Sequence, residues 1–342
     1  MSENARIAEV DVLRGLLAIT VVLGHAIQQY EMVIGGFWLA VKDFIYSFHM
    51  PAFVFVSGFC ASRLCDPSYV GADFVKTRAK RMIVPYLTWG VLYFILRILA
   101  GGYARISYDY DKLGFFLLGY NPDGAMWFVW ALFAATIAVA FGLKVVDRAW
   151  LLAVTCLLAV IAPYFCPSPS GHTRALLSIP MYMFIFLLGV SSRGWLMRCD
   201  PIARACGCRF LLCCATLFAV AYSLHVTCFL CPAPWYLVTS VSATFFLYGL
   251  SCVVAEKCRC MQSVLAFLGV EAMSIYVLGE PIKVMCRIAF VKAGIPLVVA
   301  FPVMLACMFV LPITLARIIR RRGVLRQLLL GEFKARGVPR VL

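Results

Sequence analysis

Two ionisable side chains lie inside the first apolar stretch of the chain, Asp11-Val12-Leu13-Arg14-Gly15-Leu16-Leu17-Ala18-Ile19-Thr20-Val21-Val22-Leu23-Gly24-His25. A charge or a titrating ring in a membrane-spanning segment is costly unless it faces protein or water, so Arg14 and His25 are functional candidates. Eleven residues at 100° each make three turns plus about 20°, which puts both on one helix face, about 16 Å apart along the axis. An arginine suits an anionic group, and an imidazole with a reference pKa of about 6.5 accepts and returns a proton near neutral pH. The pair fits chemistry that joins an anionic donor at one membrane surface to an acceptor deeper toward the other. Plainer roles exist for both: Arg14 as a positive-inside anchor, and His25 as a satisfied polar group between helices. Gly15, Ala18 and Gly24 let another helix or a ligand approach the backbone.

Further along, Phe48-His49-Met50-Pro51-Ala52-Phe53-Val54-Phe55-Val56-Ser57-Gly58-Phe59 opens a second apolar stretch. His49 lies about five residues inside it and His25 about five from the end of the first, so consecutive antiparallel helices set the two imidazoles at similar depth. An interfacial histidine held by headgroups is the plainer alternative for His49. Pro51 fits a first helical turn, and Ser57-Gly58 a close helix contact. In the loop Lys76-Thr77-Arg78-Ala79-Lys80-Arg81, the i and i+3 arginines point to one side of a helical turn and suit a phosphate or pyrophosphate. A topology determinant touching headgroups would look the same. Glu271, Glu280 and Asp43 are the other acids in or near apolar stretches. They are candidates to orient His25, to bind an acceptor or to line a hydrated cavity, as is Asp11, one turn before Arg14.

Helices must hold these residues. With 63% hydrophobic and 14% charged residues over 342 positions and a mean hydropathy of +0.93, the chain is too apolar for water. Stretches long enough to cross the hydrocarbon core predict an all-α polytopic bundle of ten spans. They fall near 11–30, 44–64, 82–100, 125–143, 149–165, 176–191, 209–230, 235–255, 264–282 and 295–317. Turn-rich breakers separate them: Gly101-Gly102, Asn121-Pro122-Asp123-Gly124, Pro167-Ser168-Pro169-Ser170-Gly171 and Cys231-Pro232-Ala233-Pro234. With the N-terminus cytoplasmic, 23 Lys and Arg residues fall inside and 8 outside, which predicts both termini inside and a multi-pass protein of the cell membrane. Lys283, Arg287 and Lys292 fall outside on this scheme, where they either line a cavity or mark a misplaced boundary. Glu3 and Glu9 precede the first stretch, so no cleavable signal peptide is expected.

No repeat, low-complexity tract or soluble domain interrupts the pattern, and 1–342 reads as one integral-membrane domain. The tail at 318–342 sets Arg320, Arg321, Arg322 and Arg326 against Leu328, Leu329 and Leu330. It predicts an amphipathic cytoplasmic segment on the anionic leaflet. A net charge of +15 in short clusters between apolar runs is explained by topology, which removes nucleic acid as a partner. Sixteen cysteines spread through apolar segments lack a zinc-site spacing and read as small packing residues, with no metal site and no disulfide framework.

Four ordered motifs carry a resemblance. Asp11-x2-Arg14-Gly15 with His25, the segment Phe48-His49-Met50-Pro51 to Ser57-Gly58-Phe59, Arg78-x2-Arg81 before Pro85-Tyr86, and Trp127-Phe128 opening the fourth span resemble the acyltransferase 3 family of integral-membrane acyltransferases, in its stand-alone form. The motifs cover roughly residues 9–130; the rest agrees in topology and in the short Leu328–Phe333 tail. The ninth span departs. Where many members carry a histidine after a Ser-x-x-Ile-Tyr-Leu-Leu-like run, this chain reads Ser274-Ile275-Tyr276-Val277-Leu278-Gly279 and then Glu280, so Gly279 holds the expected histidine position.

The resemblance implies transfer of an acyl group, usually acetyl from cytoplasmic acetyl-CoA as co-substrate, to a hydroxyl of a glycan or lipid-linked sugar on the outer side. It implies that Arg14 and His25 are the essential pair and that Arg78 and Arg81 handle the acyl-CoA donor. His49, Asp11, Trp127, Glu271 and Glu280 are then the acceptor or cavity candidates, and His25 is either general base or acyl carrier. A transporter or flippase of a small or lipid-linked solute is the main rival; it predicts an inverted repeat and interrupted helices, and the sequence displays neither. A non-catalytic membrane sensor is the other.

Overall fold

The computed structural model describes residues 7–31, 33–100, 126–165, 171–205, 207–228 and 232–333. The breakers at Gly101-Gly102 and Asn121–Gly124, positions 167–170 and 231 of the other two, and the tail beyond 333 lie outside the described residues.

The described elements are all helical. In chain order they are α1 (Ala8–Gln29), α2 (Gly36–Tyr46), α3 (His49–Phe59), α4 (Ala72–Ala100), α5 (Trp127–Val145), α6 (Arg148–Ile161), α7 (Gly171–Ala205), α8 (Gly207–Thr227), α9 (Pro232–Lys257), α10 (Arg259–Val270), α11 (Ala272–Lys292), α12 (Leu297–Arg320) and α13 (Gly323–Leu330), with short 3₁₀ turns between some of them. Among the described residues, eight spans are long and apolar enough to cross a membrane, α2 and α3 together making one. A ninth is reached if α10 and α11, bent by 66°, count as a single span.

Nine of the ten expected spans are matched in this way among the described residues. α4 covers the expected third span, with Asp73, Lys76, Arg78, Lys80 and Arg81 in its first third ahead of the apolar run expected at 82–100. The second span begins earlier than expected, at Gly36, and turns at Ser47-Phe48 between α2 and α3. The ninth, expected at 264–282, is corrected most. It breaks at Glu271 and resumes as α11 through Lys292, so Lys283, Arg287 and Lys292 belong to a helix and not to an outer loop. An interrupted helix, which the sequence does not announce, is therefore present. Pro281 within α11 has no N–H to give the carbonyl four residues back. That carbonyl, of Val277, is taken by the Tyr93 hydroxyl at 3.0 Å, which lets the helix run on.

α1 is the central helix, with 61% of its apolar window buried in protein, against 17% for the α6 span and 11% for the α8 span. It packs against α9, α10, α11 and α12 as well as α2 and α3. Backbone crossings are made by glycines. A Cβ on Gly15 would strike the Leu265 carbonyl, and one on Gly269 the Asp11 carbonyl, so α1 and α10 touch backbone to backbone; Gly58 and Gly189 do the same for α3 and α7. α6 and α8 instead leave Trp150, Leu157, Leu212 and Val220 exposed, the apolar outer wall of a membrane bundle.

The described part of the tail folds into the bundle rather than only lying on a surface. Leu330 is buried beside Tyr86 and Trp89, and the Trp89 indole N–H donates to the Leu329 carbonyl at 2.8 Å. Gly331, in the left-handed region at φ 62°, packs on the Arg81 carbonyl. Val324, Leu325 and Leu328 stay exposed.

Candidate active site

The site has two ends, named here for the residues of α1 that mark them. At the His25 end, Glu280 of α11 comes to the imidazole: its Oε2 lies 3.4 Å from His25 Nδ1 and 2.6 Å from Lys283 Nζ. The three side chains are 18%, 15% and 3% exposed respectively. Lys283 lies three residues after Glu280, on the same helix face. A buried ammonium and a buried carboxylate stabilise each other where either alone would be prohibitive, and the carboxylate keeps a second contact for His25.

The other wall is Tyr46, the last residue of α2. Its ring lies 6.5 Å from that of His25 and 4.8 Å from that of His49, centroid to centroid, and its hydroxyl donates to Gln28 Oε1 at 3.3 Å. Gly24 makes room for it, since a Cβ there would sit 2.9 Å from the Tyr46 ring. The two histidines are therefore brought together through one tyrosine, at similar depth as the spacing predicted. His49 is 2% exposed, which removes the headgroup-facing alternative. Its Nδ1 is 2.8 Å from the Ile45 carbonyl, and a carbonyl only accepts, so Nδ1 carries the proton.

At the Arg14 end, the guanidinium donates to Cys60 Sγ at 3.5 Å and lies 3.7 Å from Asp11 Oδ1. Cys60 follows the last residue of α3, and the Phe59 carbonyl beside it accepts from Arg193 of α7 at 3.0 Å. Cations at a helix C-terminus meet the negative end of its dipole. Arg78 of α4 has Tyr69, Arg81 and Cys60 as electrostatic neighbours and lies over the Phe74 ring at 5.4 Å. Arg78 and Arg14 thus both have Cys60, at the end of α3, in their surroundings, with Arg81 next to Arg78.

The remaining candidates separate. Asp11 pairs with Arg14. Trp127 opens α5 and stacks on Tyr182 at 6.2 Å; its neighbour Phe128 reaches Tyr276 at 6.1 Å, one turn before Glu280. Glu271 is elsewhere: it accepts from Arg320 at 2.7 Å, while Arg320 also reaches Glu332 at 2.9 Å and Ser274 at 3.0 Å. This network ties the α10–α11 break to the end of α12 and to the tail, and it places Glu271 apart from His25. Gly279 is buried, yet a Cβ there meets no atom within 4 Å. Among the described residues no group of three His, Cys, Asp or Glu side chains is placed to hold a metal ion.

Tyr46, Cys60 and Arg193 were not among the candidates, and Lys283 figured only as a residue that either lines a cavity or marks a misplaced boundary. Tyr46 stands three residues before His49 and Lys283 three after Glu280, a helical spacing that signals a shared face. Arg193 and Cys60 give no such signal, because their meeting depends on how α3 and α7 cross.

A polytopic helical membrane protein with a buried imidazole–carboxylate–ammonium cluster at one end and converging arginines at the other is the class that fold and site define. The sequence model of the acyltransferase 3 family, described as an acyltransferase domain, matches residues 7–319, and the chain belongs to that family. It is 26% identical over 222 residues to the nodulation protein NolL of Mesorhizobium japonicum, covering 56% of this chain and 57% of the relative. It is 30% identical over 172 residues to the nodulation protein NolL of Sinorhizobium fredii, covering 47% and 43%. The chain spans about half the length of these curated relatives. No solved structure matches it.

Proposed function

We propose that the protein is a membrane-bound O-acyltransferase that moves an acyl group, with acetyl as the expected one, from cytoplasmic acyl-CoA to a hydroxyl of a cell-surface glycan or lipid-linked sugar. The observation that carries this reading is the Glu280–His25 contact inside a bundle of the acyltransferase 3 family. A carboxylate on Nδ1 fixes the tautomer and leaves Nε2 as the working nitrogen, the arrangement by which a histidine serves as general base. Nε2 takes the proton of the acceptor hydroxyl as its oxygen attacks the thioester carbonyl. The C–O bond forms, the C–S bond breaks, and the CoA thiolate recovers the proton from Nε2. In the acyl-carrier alternative the same Nε2 holds the acyl group between two transfers.

Arg14, Arg78 and Arg81 are assigned to the donor, whose phosphates they meet at the inner face, with the pantetheine arm running along α1 toward His25. His49 and Trp127 are assigned to the acceptor side, and the protein sits in the cell membrane with both termini inside. Labelled acetyl-CoA supplied to one side of sealed vesicles tests the proposal: label on a glycan supports it, and its absence with active donor and acceptor present overturns it. Acyl-histidine accumulating without acceptor selects the carrier route. The transporter reading draws on the 66° break between α10 and α11, since broken helices mark transporter sites. Solute flux without label transfer would favour it, although the Arg320–Glu271 network clamps this break.

A further inference from the structure

A cavity of about 340 Å³ opens at the His25 end between α2, α8 and α9. Asp43, Tyr46, Ser47, Tyr222, His225 and Tyr236 line it, and nothing in the family assignment requires it. Two features give it a ligand chemistry. Three phenols and an imidazole offer flat apolar faces with polar edges, the surface that suits a ring with CH groups on its faces and hydroxyls around its rim. Its single carboxylate, Asp43, lies 3.6 Å from Lys42 Nζ, which Glu31 also engages, so Asp43 keeps oxygens free to accept hydrogen bonds from ligand hydroxyls. The size falls at the low end of small-molecule sites, about 300–1,000 Å³, which suits one monosaccharide unit rather than a chain.

The position gives it a role. Tyr46 is shared, lining this cavity and lying beside both His25 and His49. The frame is firm around it: Tyr236 donates to the Tyr46 carbonyl at 3.4 Å, and Ser240 of α9 to the Ser47 carbonyl at 2.8 Å. We propose that this cavity is the acceptor subsite, holding one sugar ring and presenting its hydroxyl past Tyr46 to His25. The inference rests on the acyltransferase reading and adds where the acceptor binds.

Two measurements separate failure of the subsite from failure of the reaction. The first is kinetic, on the full chain in vesicles, with labelled acetyl-CoA and a panel of methyl glycosides as probe acceptors. Tyr222→Ala and His225→Ala are each expected to raise the acceptor KM about tenfold, far more than any change in the donor KM measured on the same vesicles. An unchanged acceptor KM in both overturns the proposal. The second needs no turnover. In Val226→Cys, whose side chain lines the same cavity, methyl glycoside is expected to slow maleimide labelling of the new thiol, measured against the wild-type background. Labelling that ignores the glycoside overturns the subsite even if transfer occurs, as does protection by phosphocholine alone, which would make the aromatic lining a cation cage. Protection by glycoside without any transfer keeps the sugar subsite and sinks the acyltransferase reading.

Discussion

The two ends of α1 are built in opposite ways. At the Arg14 end the cations meet acids or a helix end: Arg14 reaches Asp11 and Cys60, Arg193 the Phe59 carbonyl, and Arg320 Glu271, Ser274 and Glu332. Helices there cross on glycine backbones, with Gly15 on Leu265 and Gly269 on Asp11. At the His25 end one carboxylate is shared by an imidazole and an ammonium, a tyrosine ring is the partition, and Gly279 leaves space unfilled. A tightly pinned array of fixed charges suits holding a polyanion, because it is organised before the ligand arrives. A loosely filled pocket with one group able to exchange a proton suits chemistry. Under the proposed function, binding falls to one end and reaction to the other, and that division can be broken at either.

The largest effect is expected from His25→Ala. Removing a general base should cost about 10²–10⁴-fold in transfer while the protein still inserts and elutes as one species. Near-normal transfer would remove His25 from the reaction. Glu280→Gln should lower kcat about 10²-fold at unchanged donor KM, through loss of the fixed tautomer. It also strands Lys283, a cost of about 3–5 kcal/mol for a buried charge without its partner, so the single variant should express poorly. Adding Lys283→Met is expected to restore expression but not transfer. Recovery of both would make Glu280 a counter-ion for Lys283 and nothing more.

At the other end the expected loss is smaller and of a different kind. Arg78→Ala removes charge-assisted contacts worth about 1.5–3 kcal/mol, a rise in donor KM of roughly 10–100-fold with kcat nearly kept. An unchanged donor KM would return Arg78 to the role of topology determinant.

How much of this was legible beforehand differs along the chain. Arg14 and His25 were readable because a charge and an imidazole in an apolar run stand out, and their helical spacing already put them on one face. His49 was readable by depth, since consecutive spans are antiparallel. The α11 region was misread for a physical reason: its polar residues looked like a loop, whereas Glu280 and Lys283 neutralise each other inside a helix, and Tyr93 takes the carbonyl that Pro281 frees. Hydropathy scores residues singly and is blind to such pairing. Glu271 looked equivalent to Glu280 on the same ground; only the fold of the tail, which brings Arg320 and Glu332 to one and leaves His25 to the other, separates them. Cys60 and Arg193 were invisible because their meeting is a property of how α3 crosses α7.

The smallest expected effect sharpens the contrast most. Alanine replaces one hydrogen with a methyl group, and at Gly15, Gly58 or Gly269 that methyl collides with the backbone of a neighbouring helix, which cannot yield as a flexible side chain would. Overpacking of this kind costs about 1–3 kcal/mol, and Gly15→Ala should lower the unfolding temperature of the purified protein measurably. Gly279→Ala is expected to do nothing of the sort, because its Cβ meets open space, and the change removes the conformational freedom that makes a helical glycine costly, about 1 kcal/mol. Its stability should match or exceed that of the wild type, while Gly279→Leu, which fills the space, should slow transfer without unfolding the protein. If Gly279→Ala proves as damaging as Gly15→Ala, the His25 end is as tightly packed as the Arg14 end, and the division of labour along α1 fails.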